Sequence, residues 1–179
     1  MSGRIAVFLA DGFEEIEAVT PVDVLRRAGF EVDTVAIGDM SDVMGAHNVR
    51  YIADVFVDEI NAGDYCMSVF PGGLPGATNL AADERVLDFA RKIHANGGIV
   101  SAICAAPIAL SAAGLLEDVE YTCYPGFEQK IGGRYTGQRV CACGRVITGC
   151  GPGASLEFAM ALVKALGKDP EPLKQGMRA

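Results

Sequence analysis

The stretch "SAICAAPIAL", residues 101–110, sets a cysteine between an apolar run and a run of small residues, with a proline three places on. Read as strand, cysteine, helix, it places Cys104 on a tight turn. Ala102 and Ala106 on either side leave room for the turn to close and for the thiol to stand clear of a sheet, the layout of a nucleophile elbow. A helix starting just beyond aims free N–H groups and partial positive charge at the sulfur, which favours thiolate and predicts a lowered thiol pKa. A thiolate that attacks a carbonyl also needs donors for the developing oxyanion, and the backbone amides of Gly73 and Ala105 are the candidates. Glycine at 72 and 73 permits close approach of backbone to a ligand. The bland alternative is a small apolar filler in an alanine-rich core, and on these residues alone both readings stand.

Acids follow the first apolar run, in "LADGFEEIEAV". Glu14 and Glu15 read as compensation of a helix dipole. Glu17 lies further along, between Ile16 and Ala18-Val19, on a side expected to be buried. A buried carboxyl keeps its proton to higher pH, so it can donate a hydrogen bond to a thiolate and shuttle protons, the two groups titrating as a pair.

The elements that must position these groups follow from apolar patterning. "RIAVFLA" (4–10), "EVDTVAI" (31–37), "YCMSVF" (65–70) and "IVSAIC" (99–104) are solid apolar runs, the mark of strands covered on both faces. Residues 49–57 and 119–123 read as shorter extended pieces. "RVCACGRVITG" reads as a hairpin about Cys143-Gly144. Between them lie helical patterns. One follows "FEE" and is expected to break and restart at Thr20-Pro21; one carries Val86, Phe89, Ala90 and Ile93; one covers 105–113; the last carries Leu156, Ala159, Leu162, Val163 and Leu166 and stops at Gly167. Alternation of this kind implies a single α/β domain over 1–179, a three-layer sandwich on a mainly parallel sheet, with residues 168–179 a loosely held tail. Ligands of such sheets bind at the carboxyl ends of the strands, where Cys104, Gly72-Gly73 and the acids all fall.

The 179 residues carry a net charge of −8, with 50% hydrophobic and 21% charged positions. Neither a nucleic acid nor an anionic membrane is expected as partner, since phosphate binding needs clustered Lys and Arg. The uncharged stretch from Gly97 to Leu116 is span-length but rich in Ala, Ser and Gly, and reads as a buried strand and helix. The N-terminus lacks the layout of a signal peptide, so the expected location is cytoplasmic and the six cysteines (66, 104, 123, 141, 143, 150) are expected as reduced thiols. With only His47 and His94, no metal site is expected. "GCGPGA" (149–154) imitates a dinucleotide motif, but no further strand with a ribose-binding acid follows; "PGGLPGATN" lacks the Lys-Ser/Thr of a P-loop.

The ordered motifs "LADGFEEIEAVTPVDVLRRAGFEV", "VFPGG" with "GATNL", "SAICAAPIAL" and "TGCGPGASLEFAMALV" resemble the ThiJ/PfpI superfamily, in the branch of the Parkinsonism-associated protein deglycase and its bacterial relatives. The resemblance covers about residues 4–167. It implies a flavodoxin-like sandwich, a homodimer, and an oxidation-prone elbow cysteine bonded to a protonated glutamate. Those positions are Cys104 and Glu17, with Gly72, Gly73 and Ala105 about the sulfur. Many members carry histidine before a proline after the fifth strand; here Tyr124 precedes Pro125, and its hydroxyl becomes a candidate helper to Glu17. His47 matches a position that in relatives can lie near a dimer partner's site. The activity implied is cofactor-free glyoxalase or deglycase chemistry on a small 2-oxoaldehyde. The alternative is an oxidative-stress sensor or protective protein acting through oxidation of Cys104. A cysteine hydrolase is disfavoured, because its thiol chemistry wants a histidine base.

Overall fold

The apolar runs become the centre of one seven-stranded sheet in the computed structural model, which describes residues 3–179. In chain order the elements are β1 (Arg4–Leu9), α1 (Glu15–Arg27), β2 (Val32–Ala36), β3 (Asp42–Met44), β4 (Arg50–Ile52), β5 (Val55–Phe56), β6 (Tyr65–Phe70), α2 (Gly76–Ala82), α3 (Glu84–Ala95), β7 (Ile99–Ile103), α4 (Pro107–Ala112), β8 (Glu120–Tyr121), β9 (Arg134–Tyr135), β10 (Val140–Cys143), β11 (Val146–Gly149), α5 (Ser155–Ala165) and α6 (Glu171–Met177). The sheet order is β10-β11-β7-β6-β1-β2-β5, parallel throughout except for β10, which forms the antiparallel hairpin with β11. Two small two-stranded sheets, β3-β4 and β8-β9, stand apart.

Both faces of this sheet are covered, which is why its strands show no polar alternation. On one face Phe8, Phe70, Phe89 and Leu110 belong to a core beneath α2, α3 and α4. On the other Leu9, Leu25, Ile147 and Phe158 meet α1 and α5. The result is the expected three-layer α/β sandwich with a mainly parallel sheet.

Two expectations need correction. α1 does not break at Thr20-Pro21 but runs on through Pro21. An interior proline costs a helix about 3 kcal/mol; here Pro21 itself is buried with Val22, Val24 and Leu25, and that apolar face packs on the sheet. The segment 168–179 is not a loose tail either. It carries α6, whose Leu173 and Met177 pack against the core shared by α1 and α5, while the Lys168 ammonium donates to the Ala28 carbonyl and sits over the Phe30 ring. Those contacts rest on two spaced apolar residues and one cation–π pair, too sparse a pattern to signal a helix in advance.

Candidate active site

Three strand ends meet at the carboxyl edge of the sheet. β7 ends at Ile103, and the next residue, Cys104, takes φ of 64°, the left-handed region that side chains other than glycine rarely enter. Neighbouring backbone holds it there. The Cys104 N–H donates to the Gly149 carbonyl at the end of β11 (2.9 Å), and the Cys104 carbonyl accepts from the Tyr124 N–H (2.8 Å). Strain pinned from both sides is the signature of a position kept for its side chain.

β6 ends at Phe70 and leads into Pro71-Gly72-Gly73. A side chain at Gly72 would place its Cβ 2.6 Å from Glu17 Oε2 and 2.7 Å from Cys104 Cβ, so only glycine lets acid and thiol meet. Gly73 has φ of 85°, and a Cβ there would strike the backbone of residues 12–14. β1 leads through that same segment into α1, where Glu14 acts as N-cap: its Oε2 accepts from the Glu17 N–H at 2.8 Å, and its own N–H donates to the Gly72 carbonyl at 2.9 Å. Glu14 does more than compensate the helix dipole. It is in fact a tie between the acid's helix and the glycine turn, and only its spacing three residues before Glu17 hinted at this.

Glu17 is fully buried. Its Oε2 accepts from the Gly72 N–H at 2.8 Å. Its Oε1 has no nitrogen or oxygen partner among the described residues, which leaves that atom for the sulfur. Burial raises the carboxyl to about 7, against the pull of its bonds to Cys104 and Gly72. The thiol departs from expectation. Burial pushes Cys104 up to about 12, the Glu17 charge adds to the rise, and the amides of Ala105 and Gly73 only partly oppose it. Ala105 and Gly73 do supply the expected amides, but desolvation outweighs them. The two groups titrate as one unit that gives up its first proton near pH 7; with the remaining proton on the carboxyl, the charge rests on the sulfur, faced by the two amides.

The structure thus brings together Cys104, Glu17, Gly72, Gly73 and Ala105. Tyr124 is attached through its backbone only: its ring lies against Gly151 and is half exposed. His47 is occupied elsewhere, with Nδ1 2.8 Å from Glu15 Oε2 and its backbone N–H donating to Glu15 Oε1. That pairing raises the imidazole pKa and lowers that of Glu15, whose bonds outweigh its partial burial. Glu14, Glu15 and His47 bring donor atoms within 4.8 Å of one another, yet these atoms already serve to cap α1 and to hold the 45–49 loop. His94 lies in the last turn of α3. A cavity of about 490 Å³ lies between α5 and α6, away from the cysteine.

A parallel α/β sandwich that displays a strained cysteine beside a buried acid belongs to the flavodoxin-like elbow proteins as a class. Comparison with known proteins makes this narrower: residues 3–165 match the model of the DJ-1/PfpI family, and the chain belongs to that family. The Parkinson disease protein 7 homolog of Danio rerio is 37% identical over 172 residues, covering 93% of this chain and 91% of the relative. The protein DJ-1 homolog B of Arabidopsis thaliana is 38% identical over 163 residues, 90% of this chain but 37% of that longer protein. A Caenorhabditis elegans relative named glutathione-independent glyoxalase DJR-1.2 is 33% identical over 86% of this chain and 82% of its own. Among solved structures, Drosophila melanogaster DJ-1beta superposes with a TM-score of 0.94 at 31% identity, covering all of this chain and 99% of that one. Among the described residues no helix is long and apolar enough to cross a membrane.

Proposed function

We propose that this protein is a cofactor-free glyoxalase that converts a small 2-oxoaldehyde such as methylglyoxal to its 2-hydroxy acid. The observation that carries this reading is the cysteine at positive φ whose sulfur shares one proton with a buried acid and faces two backbone amides. The thiolate adds to the aldehyde carbon; the new oxyanion is held by the Gly73 and Ala105 amides and takes the proton from Glu17. Glu17, now ionised, removes the hydrogen left on that carbon and returns it to the adjacent carbon. The first carbon is thereby oxidised to a thioester as its neighbour is reduced to an alcohol. Water cleaves the thioester, releasing the hydroxy acid and restoring thiol and acid. The internal transfer needs no external redox partner, and the nematode relative's name supports the assignment. Cys104→Ala is expected to abolish hydroxy-acid formation from methylglyoxal, followed by chiral chromatography; full turnover by that variant ends the proposal.

A homodimer is part of this reading. Ile16 and Val19 on α1, with Val49 and Ile52 about β4, are large apolar side chains left exposed, and the Glu15–His47 pair joins the two segments into one face beside the site. Light scattering should give twice the chain mass for the wild type and a lower mass for Val19→Asp.

A further inference from the structure

Cys104 has a second thiol one strand away that the glyoxalase chemistry does not use. In the parallel ladder of β7 and β11, Ile103 stands opposite Gly149, so the next pair in register is Cys104 and Cys150. The 2.9 Å bond from the Cys104 N–H to the Gly149 carbonyl carries the register to that point. One peptide unit added to this bond leaves the two Cα atoms about 5–7 Å apart, the span over which a disulfide forms without moving backbone. Both residues are half-buried and free, whereas Cys66, Cys123 and Cys141 are buried. Arg139, held by Glu157 and the Gly153 carbonyl, accepts from the Cys150 N–H at its own carbonyl at 2.9 Å, which fixes the backbone of Cys150 beside the elbow.

We infer that Cys150 is a resolving thiol for Cys104, so that peroxide converts the elbow cysteine reversibly to an intramolecular disulfide rather than irreversibly to an acid. This rests on the reading of Cys104 as the reactive thiol. In the first step the Cys104 sulfur attacks one oxygen of the peroxide and the O–O bond breaks. Sulfur loses two electrons to become sulfenic acid, and the departing hydroxide takes the Glu17 proton as water. In the second step the Cys150 sulfur attacks the sulfenic sulfur, the S–O bond breaks, and water leaves with the Cys150 proton. To reach Cys150 the Cys104 sulfur turns about χ1 away from Glu17. The disulfide therefore also silences the catalytic pair, and an external thiol restores it by exchange.

Cys123 is the competing partner. It precedes Tyr124, whose N–H bonds the Cys104 carbonyl, but it is fully buried. The test treats the whole protein with a few equivalents of hydrogen peroxide, because sulfinate takes a second peroxide after sulfenate, then blocks free thiols and maps peptides without reductant. Wild type and Cys123→Ser are expected to yield a peptide pair joined through Cys104 and Cys150 that dithiothreitol separates. Cys150→Ser is expected to lose that pair and to accumulate sulfinate at Cys104. Sulfinate at Cys104 in wild type with no joined pair, or a link to Cys123 or to a second copy, overturns the inference and leaves the reactive thiol standing. A Cys104 untouched by peroxide overturns both.

Discussion

Glu17→Gln is expected to lower turnover about 10²–10⁴-fold, the usual worth of a positioned proton shuttle, while making the protein more stable in alkali. The fall in rate follows because glutamine can still accept from the Gly72 N–H but can neither take the substrate's hydrogen nor hand a proton to the oxyanion. The stability change follows from linkage. The folded-state carboxyl is raised from 4.5 to about 7, so between these values the native state binds more protons than the unfolded chain. Stability from this group is therefore fully present below about pH 4.5 and is lost as pH rises through 7. At pH 8 the wild type carries a buried charge that the variant lacks, worth roughly 3 kcal/mol at 1.36 kcal/mol per unit. Urea midpoints should thus favour Glu17→Gln at pH 8 and converge by pH 5. The alkylation midpoint of Cys104 should also move downward in the variant, because the Glu17 charge that adds to the rise of the thiol is gone. An unchanged alkylation profile and equal midpoints at pH 8 would mean that the acid does not hold the shared proton.

Gly73→Ala should have the next largest effect. Its φ of 85° suits glycine, and a Cβ would run into Gly12 O, Phe13 C and Glu14 N, which are backbone atoms and cannot swing aside. Left-handed backbone costs a residue with a Cβ about 1–2 kcal/mol, and displacing that backbone adds strain of the same order, giving a loss of about 3 kcal/mol. The turn it displaces carries the amide facing the sulfur, while the same backbone leads into the helix bearing Glu17. Turnover should therefore fall along with stability, and the residual thiol should alkylate more slowly at neutral pH. Wild-type thermal unfolding with normal turnover would show that the turn is more compliant than its contacts suggest.

The sandwich was legible because buried parallel strands leave an uninterrupted apolar record, and the hairpin because two alternating runs flank Cys143-Gly144. Local chemistry misled where tertiary packing overruled it. Pro21 sits inside α1 because a buried helix face tolerates a missing bond. α2 was hidden in "GATNLAA", which reads as loop after so many glycines and prolines. The site was legible to the extent that it is built from short-range rules: an elbow flanked by alanines, two glycines after a strand, an acid on the inner side of a helix. What stayed illegible depends on distance in space. Nothing near Cys104 in the chain announces that desolvation outweighs the amides, and nothing near Tyr124 says that its ring turns toward Gly151.

The margins of the main sheet carry a consequence for assembly. One margin is β5, two residues long, and the other is β10, four residues long with its inner side paired to β11 in the hairpin. Neither offers more than a short run of main-chain groups on which another chain could lengthen the ladder. Short margins of this kind disfavour fibrous, strand-templated growth and leave side-chain surfaces, such as that of α1 and β4, as the ground for any contact between copies.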